Sequence, residues 1–325
     1  MLAAETFHAI PRLPIAPLMT PVNRCLQLEK QVPGMPALYV KHDDYIGPLV
    51  WGNKLRKLEY VFAEAQAQGV ETLITCGGVQ SNHARTTAQA ARRFGFRVIL
   101  VLNGPRPLKP SGNLLIGYKV GAEIHFVESR HERTGKMLSL AAQEEAGGRK
   151  TMVVPLGASD ETGALGFVKA MEELSQQEKE MGITFDHIYH ATSSAGTQSG
   201  MLAGRRIFGI RAAIHGISAD DPADEIAGTI SRISQEVFDR LGIEVALTGD
   251  EILVDDRHVG QGYGIPTAAS LEAERLFGEQ EGILLDHYYT AKAAAALIQD
   301  ARSGLFKPTD KLLLWHTGGT ISLFK

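Results

Sequence analysis

The chain has 325 residues, of which 44% are hydrophobic and 22% are charged. This is the composition of a globular protein with room for one large or two medium domains. The formal net charge is −4 and the basic residues are dispersed, which argues against nucleic acid as a partner. Cys25 and Cys76 are the only cysteines, too few for a disulfide framework or a cysteine-based metal site, so we expect a reducing compartment.

The N-terminal segment 1–20 contains three prolines and lacks a basic start followed by a continuous apolar stretch. We therefore predict no secretory signal. Nowhere do about 18 apolar residues follow one another, as a membrane-spanning helix requires. These features predict a cytoplasmic protein whose partners are small molecules rather than membranes.

Short strand-like runs alternate with helical patterns through the first half of the chain. The strand-like runs are 71–76, 97–102, 123–127 and 151–154. The helical patterns are 58–68, 82–94 and 111–120, each followed by a glycine where a helix C-terminus is expected. Such alternation is typical of a parallel sheet with crossover helices.

A second series of strand-like runs occupies the rest of the chain, at 185–191, 212–218 and 311–316. The change from one series to the next falls near 157–166, so the sequence predicts two α/β lobes. Ligands of open α/β sheets bind beyond the C-terminal ends of the strands. The loops that follow these runs are therefore the places to look for chemistry.

Lys54 follows a Gly52-Asn53 corner at a predicted helix start. A lysine that is desolvated or surrounded by positive charge can lose its proton near neutral pH and attack a carbonyl. Arg56 and Lys57 are expected to supply such charge. A single lysine at a helix start is usually solvated, so the hypothesis of a covalently bound aldehyde cofactor depends on the other motifs.

Glycines and small polar residues follow the run that ends at Cys76. The segment 77–85 reads Gly-Gly-Val-Gln-Ser-Asn-His-Ala-Arg and opens a helix. A helix start offers free backbone N–H groups to an anion. Ser81 and Asn82 are candidates to bind a carboxylate or a cofactor oxygen, and His83 is a candidate for proton transfer. A helix N-cap is an equally good interpretation of Ser81.

A second polar loop, 192–200, precedes the helical pattern 201–208. Its glycines, serines and threonines are typical of a phosphate site made of backbone amides and hydroxyls. It has neither the lysine of a nucleotide P-loop nor the G-x-G-x-x-G spacing, so a compact monophosphate fits better than a nucleotide. A plain strand-to-helix connection explains the same loop at least as often.

The run 311–316 leads into a third polar turn, His316-Thr317-Gly318-Gly319-Thr320. Thr317 is a candidate hydrogen-bond partner for the ring nitrogen of a cofactor. His187 and His190 have metal-ligand spacing, but in a strand they point to opposite faces. We therefore predict no metal site.

These motifs, in this order, closely resemble those of the pyridoxal-phosphate enzymes of the D-cysteine desulfhydrase and aminocyclopropane-carboxylate deaminase family. The resemblance extends over about 38–324 and includes the segments 158–167, 262–266 and 285–292. It implies the two-domain fold type II architecture of the tryptophan synthase β-like enzymes, with two twisted, mostly parallel sheets flanked by helices. On this basis 1–54 and 166–325 form a large cofactor-binding domain, 55–165 form a small α/β domain, and the protein is a homodimer.

The resemblance also implies a role for each matched residue. Lys54 carries pyridoxal 5'-phosphate as a Schiff base, and Asn82 approaches the ring oxygen of the cofactor. Ser81 and His83 line the substrate side. Further cofactor and active-site positions implied by the resemblance are the phosphate-binding residues Ser194, Ala195, Gly196 and Thr197, the active-site tyrosines Tyr263 and Tyr289, the latter beside the pyridine ring, and Thr317 at the pyridine nitrogen.

Two positions separate the branches of this family. The deaminase branch has glutamate and leucine where this chain has Thr290 and Thr317, which favours the desulfhydrase branch. The expected reaction is β-elimination from D-cysteine, giving pyruvate, sulfide and ammonia. A deaminase and a non-catalytic small-molecule binding protein are less favoured alternatives.

The nearest alternative is L-cysteate sulfo-lyase, in which sulfite leaves and the sulfonate needs a cationic or hydrogen-bonding site. Arg85, Arg257 and His258 are candidates for that site. The chain departs from the family pattern at Trp51, His287 and Ala291, and Trp51 either shapes the substrate pocket or packs against the protein.

Overall fold

The computed structural model describes residues 2–15, 19–47 and 52–324. The proposed substrate contact Trp51 lies outside these residues. The described strands are β1 (Val22–Arg24), β2 (Ala37–His42), β3 (Thr72–Gly78), β4 (Arg97–Asn103), β5 (Glu123–Val127), β6 (Thr151–Val153), β7 (His187–Thr192), β8 (Ala213–Ser218), β9 (Leu253–Asp255) and β10 (Lys311–His316).

The described α-helices alternate with these strands. They are α1 (Leu2–Ala9), α2 (Leu26–Gln31), α3 (Lys54–Ala67), α4 (Asn82–Ala91), α5 (Gly112–Lys119), α6 (Arg133–Ala146), α7 (Glu161–Met181), α8 (Gly196–Phe208), α9 (Ala223–Leu241), α10 (Ala268–Glu281) and α11 (Thr290–Arg302). None of the helices in the described ranges is long and apolar enough to cross a lipid bilayer.

The strands form two sheets. The larger has the order β1-β2-β10-β7-β8-β9, in which only the β1–β2 pair is antiparallel, and the smaller has the order β5-β4-β3-β6 and is parallel throughout. The predicted parallel α/β architecture is confirmed. The smaller sheet takes its strands from 72–153 and the larger from 22–42 and 187–316. The exact domain bounds at 54/55 and 165/166 remain a prediction.

Three helices pack closely enough to fix the position of Lys54. A Cβ atom at Gly166 of α7 would lie 2.3 Å from the carbonyl oxygen of Arg56 in α3, and a Cβ atom at Gly200 of α8 would lie 2.1 Å from the carbonyl oxygen of Ala164 in α7. Only glycine permits such contact between helix backbones. The first turns of α3 and α8 are thereby held at fixed positions on either side of α7.

A buried ion-pair network anchors the start of α3. Arg56 donates hydrogen bonds to Asp43 at 2.9 Å and to Glu173 at 2.8 Å, and Lys41 donates to Glu173 at 2.5 Å. Burial alone would raise the pKa of Glu173, but the charges of Arg56 and Lys41 lower it to about 2. The helix begins at Lys54, as the Gly-Asn corner predicts, and four residues before the apolar pattern 58–68. The network supplies buried partners for the polar side chain of Arg56 in its first turn.

Candidate active site

A cavity of about 270 Å³ lies where loops from both sheets meet. Most of the residues that line it lie at or beyond the C-terminal ends of strands in both sheets, as expected for a parallel α/β protein. They are Asn53, Lys54, Gly78, Ser81, Asn82, His83, Asn103, Arg130, Arg133, Leu156, Gly157, Ala191, Thr192, Ser193, Ser194, Ala195, Thr197, Asp220, Asp221, Tyr263, Tyr289, Thr317 and Gly318.

Lys54 is the first residue of α3, and its side chain lines the cavity. The preceding corner is fixed to the last strand, because the backbone N–H of Asn53 donates to the carbonyl oxygen of Thr317 at 3.0 Å. A Cβ atom at Gly52, which has a φ of +66°, would lie 2.7 Å from that same oxygen. Lys54 and Thr317 are therefore brought to the same side of the cavity.

Burial lowers the pKa of Lys54 from 10.5 to about 8, because the surrounding protein excludes the water that would solvate an ammonium. The expectation that Arg56 supplies like charge is wrong, since two buried carboxylates neutralise its guanidinium. Desolvation alone makes Lys54 a better nucleophile near neutral pH.

The loop 194–197 contributes Ser194, Ala195 and Thr197 to the cavity wall, and α8 begins within it at Gly196. Ala195 precedes the helix with a φ of 67°, an uncommon conformation for a residue with a side chain. Ser194 accepts a hydrogen bond from the hydroxyl of Ser159 at 2.8 Å. The N–H of Gly196 already donates to the carbonyl oxygen of Ser194 at 2.8 Å. The start of α8 beyond it and the side chains of Ser194 and Thr197 line the region where an anion would bind.

Lys57 lies under the same loop, a position that the sequence motifs did not reveal. Its ammonium group donates to the carbonyl oxygen of Gly157 and to the hydroxyl of Ser159, both at 3.1 Å. A Cβ atom at Gly196 would lie only 2.9 Å from the Lys57 nitrogen. Burial, and then the charge of Lys54, lower its pKa well below the usual value. The i,i+3 spacing from Lys54 is the sequence signal that places both lysines on one helix face.

Ser81 caps α4, because its hydroxyl accepts the N–H of Ala84 at 3.2 Å. The N-cap interpretation is confirmed, and the same residue also lines the cavity. The substrate contact proposed for Ser81 remains a prediction.

His83 forms a hydrogen bond of 2.8 Å through Nε2 with the hydroxyl of Thr75. That hydroxyl donates to the carbonyl oxygen of Val154, so Nε2 of His83 carries the proton and Nδ1 is an acceptor. Burial lowers the pKa of His83 well below its usual value. The ring is therefore neutral at physiological pH.

Tyr263 and Tyr289 both line the cavity, and their hydroxyls are hydrogen-bonded at 2.7 Å. Burial raises the pKa of Tyr263 to about 12 and that of Tyr289 well above its usual value. Both phenols are neutral and can donate a proton. The buried carboxylate of Asp286 holds the backbone of Tyr289 in place through its N–H, at 3.1 Å.

The positions that distinguish the family branches lie in different environments. Thr317 lines the cavity, whereas the hydroxyl of Thr290 is buried and donates to Asp286 at 2.7 Å. His287 forms a hydrogen bond of 2.7 Å with Glu274, and Ala291 is packed in the core of the larger sheet. Among the described residues, Thr290, His287 and Ala291 are not part of the cavity wall.

The three candidates for a cationic substrate site are elsewhere. Arg257 pairs with Asp255 at 2.6 Å, His258 is buried outside the cavity wall, and Arg85 is buried behind Asn82. The structure therefore places none of these candidates at the cavity surface.

Two other arginines do line the cavity, at a position that the sequence did not predict. Arg130 pairs with Asp221 at 2.8 Å, and Nε of Arg133 donates to the carbonyl oxygen of Arg130 at 2.9 Å. Within the described ranges, Arg133 forms no ion pair with a carboxylate. The neighbouring Asp220 accepts the hydroxyl of Ser193 at 2.7 Å.

His187 and His190 have different neighbours, as expected for residues on opposite faces of a strand. His187 forms a hydrogen bond of 3.1 Å with His215, while the Nδ1 atom of His190 contacts the carbonyl oxygen of Ala191. In the part of the chain that the structure describes, no group of three or more histidine, cysteine or acidic side chains is arranged to hold a metal ion.

The donor set of the cavity fits pyridoxal 5'-phosphate. The cavity provides a lysine with a lowered pKa, together with a helix start and hydroxyls that suit a phosphate. A Cβ atom at Gly157 would lie 2.3 Å from the hydroxyl oxygen of Ser194, so the phosphate end has no room for a larger residue there. Thr317 and Asn82 add further polar groups to the wall.

Comparison with known proteins agrees with this geometry. Residues 15–318 match the family described as pyridoxal-phosphate dependent enzyme. The chain is 34% identical over 319 residues to a D-cysteine desulfhydrase of Yersinia enterocolitica, covering 97% of this chain and 95% of the relative. It is 33% identical over 322 residues to a 1-aminocyclopropane-1-carboxylate deaminase of a Methylobacterium species, covering 96% and 95%.

A solved structure described as an ACC deaminase homologue superimposes with a TM-score of 0.91 at 31% identity, covering 99% of this chain and 96% of that one. The fold is therefore that of the type II pyridoxal-phosphate enzymes. The chain belongs to the pyridoxal-phosphate-dependent enzyme family, and its cofactor is pyridoxal 5'-phosphate.

Proposed function

We propose that the protein is a D-cysteine desulfhydrase, which converts D-cysteine and water into pyruvate, hydrogen sulfide and ammonia. The observation that carries this proposal is a lysine with a pKa near 8 in the same cavity as a pair of neutral tyrosines. Relatives with desulfhydrase and deaminase names are similarly close, so identity alone does not choose between them. Thr317 at the cavity wall, where the deaminase branch has leucine, supports the desulfhydrase.

Lys54 is the proposed attachment point and the base at Cα. Its lowered pKa gives it an appreciable neutral fraction at physiological pH, which a base that removes a carbon-bound proton requires. The bound cofactor supplies the conjugated system that takes up the negative charge formed at Cα.

Tyr263 and Tyr289 are proposed to protonate the departing sulfur. Both are neutral because burial raises their pKa values, and their shared hydrogen bond of 2.7 Å lets one phenol recover a proton from the other. Ser81 and His83 are proposed to line the substrate side. As a neutral ring with Nδ1 free to accept, His83 can orient a substrate donor.

Ser194, Ala195, Gly196 and Thr197 are proposed to bind the phosphate group, whose negative charge would favour the protonated form of Lys57 beneath them. The hydrogen bonds of Lys57 to Gly157 and Ser159 hold it in that position. Asn82 is proposed to face the ring oxygen and Thr317 the pyridine nitrogen. A threonine hydroxyl, unlike an aspartate, does not keep that nitrogen protonated.

A substrate panel tests the proposed reaction. We expect purified protein loaded with pyridoxal 5'-phosphate to release pyruvate and sulfide in equal amounts from D-cysteine. Aminocyclopropane-carboxylate should give no oxo acid, and Lys54→Ala should be inactive with every substrate. Ring opening without sulfide release would refute the desulfhydrase and support the deaminase.

The second candidate is L-cysteate sulfo-lyase, and Arg133 favours it. This arginine lines the cavity without a carboxylate partner in the described ranges, so it is available to a sulfonate. Release of sulfite from L-cysteate, with no sulfide from D-cysteine, would establish this alternative. Arg133→Met should then raise the KM for L-cysteate more than it lowers kcat.

We propose a cytoplasmic homodimer on the basis of the family resemblance. Analytical ultracentrifugation of the cofactor-loaded protein tests the dimer. A species with the mass of a single 35.2 kDa chain at micromolar concentration would refute it.

A further inference from the structure

Asn113, the second residue of α5, is buried against the turn that contains Asn82. Its Nδ2 group donates to Oδ1 of Asn82 and to the carbonyl oxygen of Gln80, both at 2.8 Å. Its backbone N–H donates to the side chain of Gln80 at 2.9 Å. Asn113 is therefore hydrogen-bonded to the turn on both sides of Ser81.

Arg85 lies behind the same turn, three residues after Asn82 in α4, with only 1% of its surface exposed. It donates through Nε to Oδ1 of Asn113 at 3.0 Å and through Nη2 to Oδ1 of Asn82 at 3.4 Å. No carboxylate among the described residues pairs with it. A buried guanidinium without a counter-ion is costly, which calls for a functional explanation.

The donors and acceptors of these three side chains allow one arrangement. Arginine only donates hydrogen bonds, so the atom of Asn113 that faces Nε of Arg85 must be its oxygen. The NH₂ group of Asn113 is then the part that faces Asn82, which must present its own oxygen. The pattern of donors and acceptors thus determines the orientation of both side-chain amides. The NH₂ group of Asn82 is then free to point toward the cavity, which this residue lines.

We infer that Arg85 and Asn113 are positioning residues that hold the amide of Asn82 with its N–H toward the cavity, where it donates to the anionic ring oxygen of the cofactor. The inference rests on the proposed placement of the cofactor beside Asn82. The positive charge of Arg85 also polarises the amide, which strengthens its donor end. Neither residue touches the cavity itself.

Asn113→Asp tests this arrangement because it replaces the donating NH₂ group of residue 113 with an oxygen and keeps the size of the side chain. The aspartate presents an oxygen to Asn82 and gives Arg85 a counter-ion, so the Asn82 amide is expected to turn its oxygen toward the cavity. We expect the dissociation constant of pyridoxal 5'-phosphate to rise about tenfold, as for the loss of one hydrogen bond, and the visible absorption band to shift. Arg85→Met should change both quantities in the same direction, which provides a second variant if the first does not fold.

A double-mutant cycle shows whether Asn113 acts through Asn82. In an Asn82→Ala background, Asn113→Asp should have no further effect on cofactor affinity or on the band. Thr72→Val is the matched control, because it removes a buried hydrogen bond of 3.1 Å from Thr72 in β3 to Glu144 in α6, neither of which lines the cavity. It should lower the melting temperature without moving the band.

Two outcomes would overturn the inference. One is a folded Asn113→Asp protein with wild-type affinity and an unchanged band. The other is an equal loss of affinity from Asn113→Asp with and without Asn82. A wild-type protein that shows no band with the cofactor would instead refute the proposed function.

Discussion

At the scale of single residues, the environment of Lys54 determines its chemistry. Lys57 is fully buried and Lys54 is partly buried, and among the described residues only Lys57 has hydrogen-bond acceptors, at Gly157 and Ser159, to hold its nitrogen in place. The two lysines are thereby suited to different tasks. One is free to form and exchange a covalent bond, while the other stays beneath the phosphate loop.

The lowered pKa of Lys54 predicts a specific pH dependence. Its neutral fraction grows as the pH rises to about 8, whereas an ordinary lysine requires a pH near 10.5. The rate at which cofactor-free protein binds pyridoxal 5'-phosphate should therefore rise about tenfold per unit below pH 8 and level off above it. Stopped-flow absorbance measures this rate, and a rate still rising at pH 10 would show that Lys54 is not desolvated.

At the scale of elements, the close contact at the start of α8 predicts the effect of one methyl group. In Gly196→Ala, the new Cβ would lie 2.8 Å from Cα of Ser159 and 2.9 Å from the Lys57 nitrogen. The helix start must shift, so we expect a stability loss of about 1–3 kcal/mol and at least tenfold weaker cofactor binding. Urea unfolding and a fluorescence titration measure the two effects.

Gly228→Ala is the matched control for this substitution. Gly228 lies within α9 on its exposed face, and a Cβ atom there would meet no atom within 4 Å. Alanine should stabilise that helix by up to about 1 kcal/mol without changing cofactor affinity. If both substitutions changed stability and cofactor affinity equally, the close contact at Gly196 would not be what positions the start of α8.

The sequence predicted strands β3 to β8 and β10 and helices α3, α4, α5 and α8, because alternation and glycine stops are local signals. It assigned none of the other seven described α-helices. It did not predict that Arg56 and Lys57, in the first turn of α3, are buried. Their partners, Glu173 and Gly157, are about 100 residues away in the chain, at separations of 117 and 100. No local sequence pattern indicates contacts between residues so far apart in the chain. Strands β1, β2 and β9 were also missed. β2 pairs with the C-terminal strand β10, and β1 and β9 have only three residues each.

At the scale of the whole molecule, the cavity needs residues from both sheets. The motifs predicted Lys54, the turn 81–83, the loop 194–197, both tyrosines and Thr317 at one site, and the structure brings all of them except Gly196 to the cavity wall. Gly196 lies directly behind the wall. Their individual roles remain predictions. Arg130, Arg133 and Asn113 belong to no motif, and only the three-dimensional arrangement reveals them.

The ion pair between Arg130 and Asp221 links the segment after β5 of the smaller sheet to the segment after β8 of the larger sheet, beside the cavity. Because both side chains are partly exposed, we expect Arg130→Ala to change stability by less than about 1 kcal/mol. We expect the KM for substrate to rise several-fold, since the two halves are no longer joined there. Added salt should raise the KM of the wild type and have less effect on the variant.

Steady-state kinetics at low and high salt measure this difference. Arg232→Ala is the control, because its pair with Glu236 is exposed on α9 and joins no second element. Equal salt dependence in wild type and Arg130→Ala would show that the pair does not link the two halves during substrate binding.

The central claim is that Lys54 carries the cofactor, and identifying the modified lysine tests it most directly. Borohydride reduction of the cofactor-loaded protein makes the bond to the lysine permanent. Proteolysis and mass spectrometry then identify the lysine that carries the group. We predict modification of Lys54 and none of Lys57, three residues further along the same helix face. Modification of Lys57, or of no lysine in α3, would contradict the account.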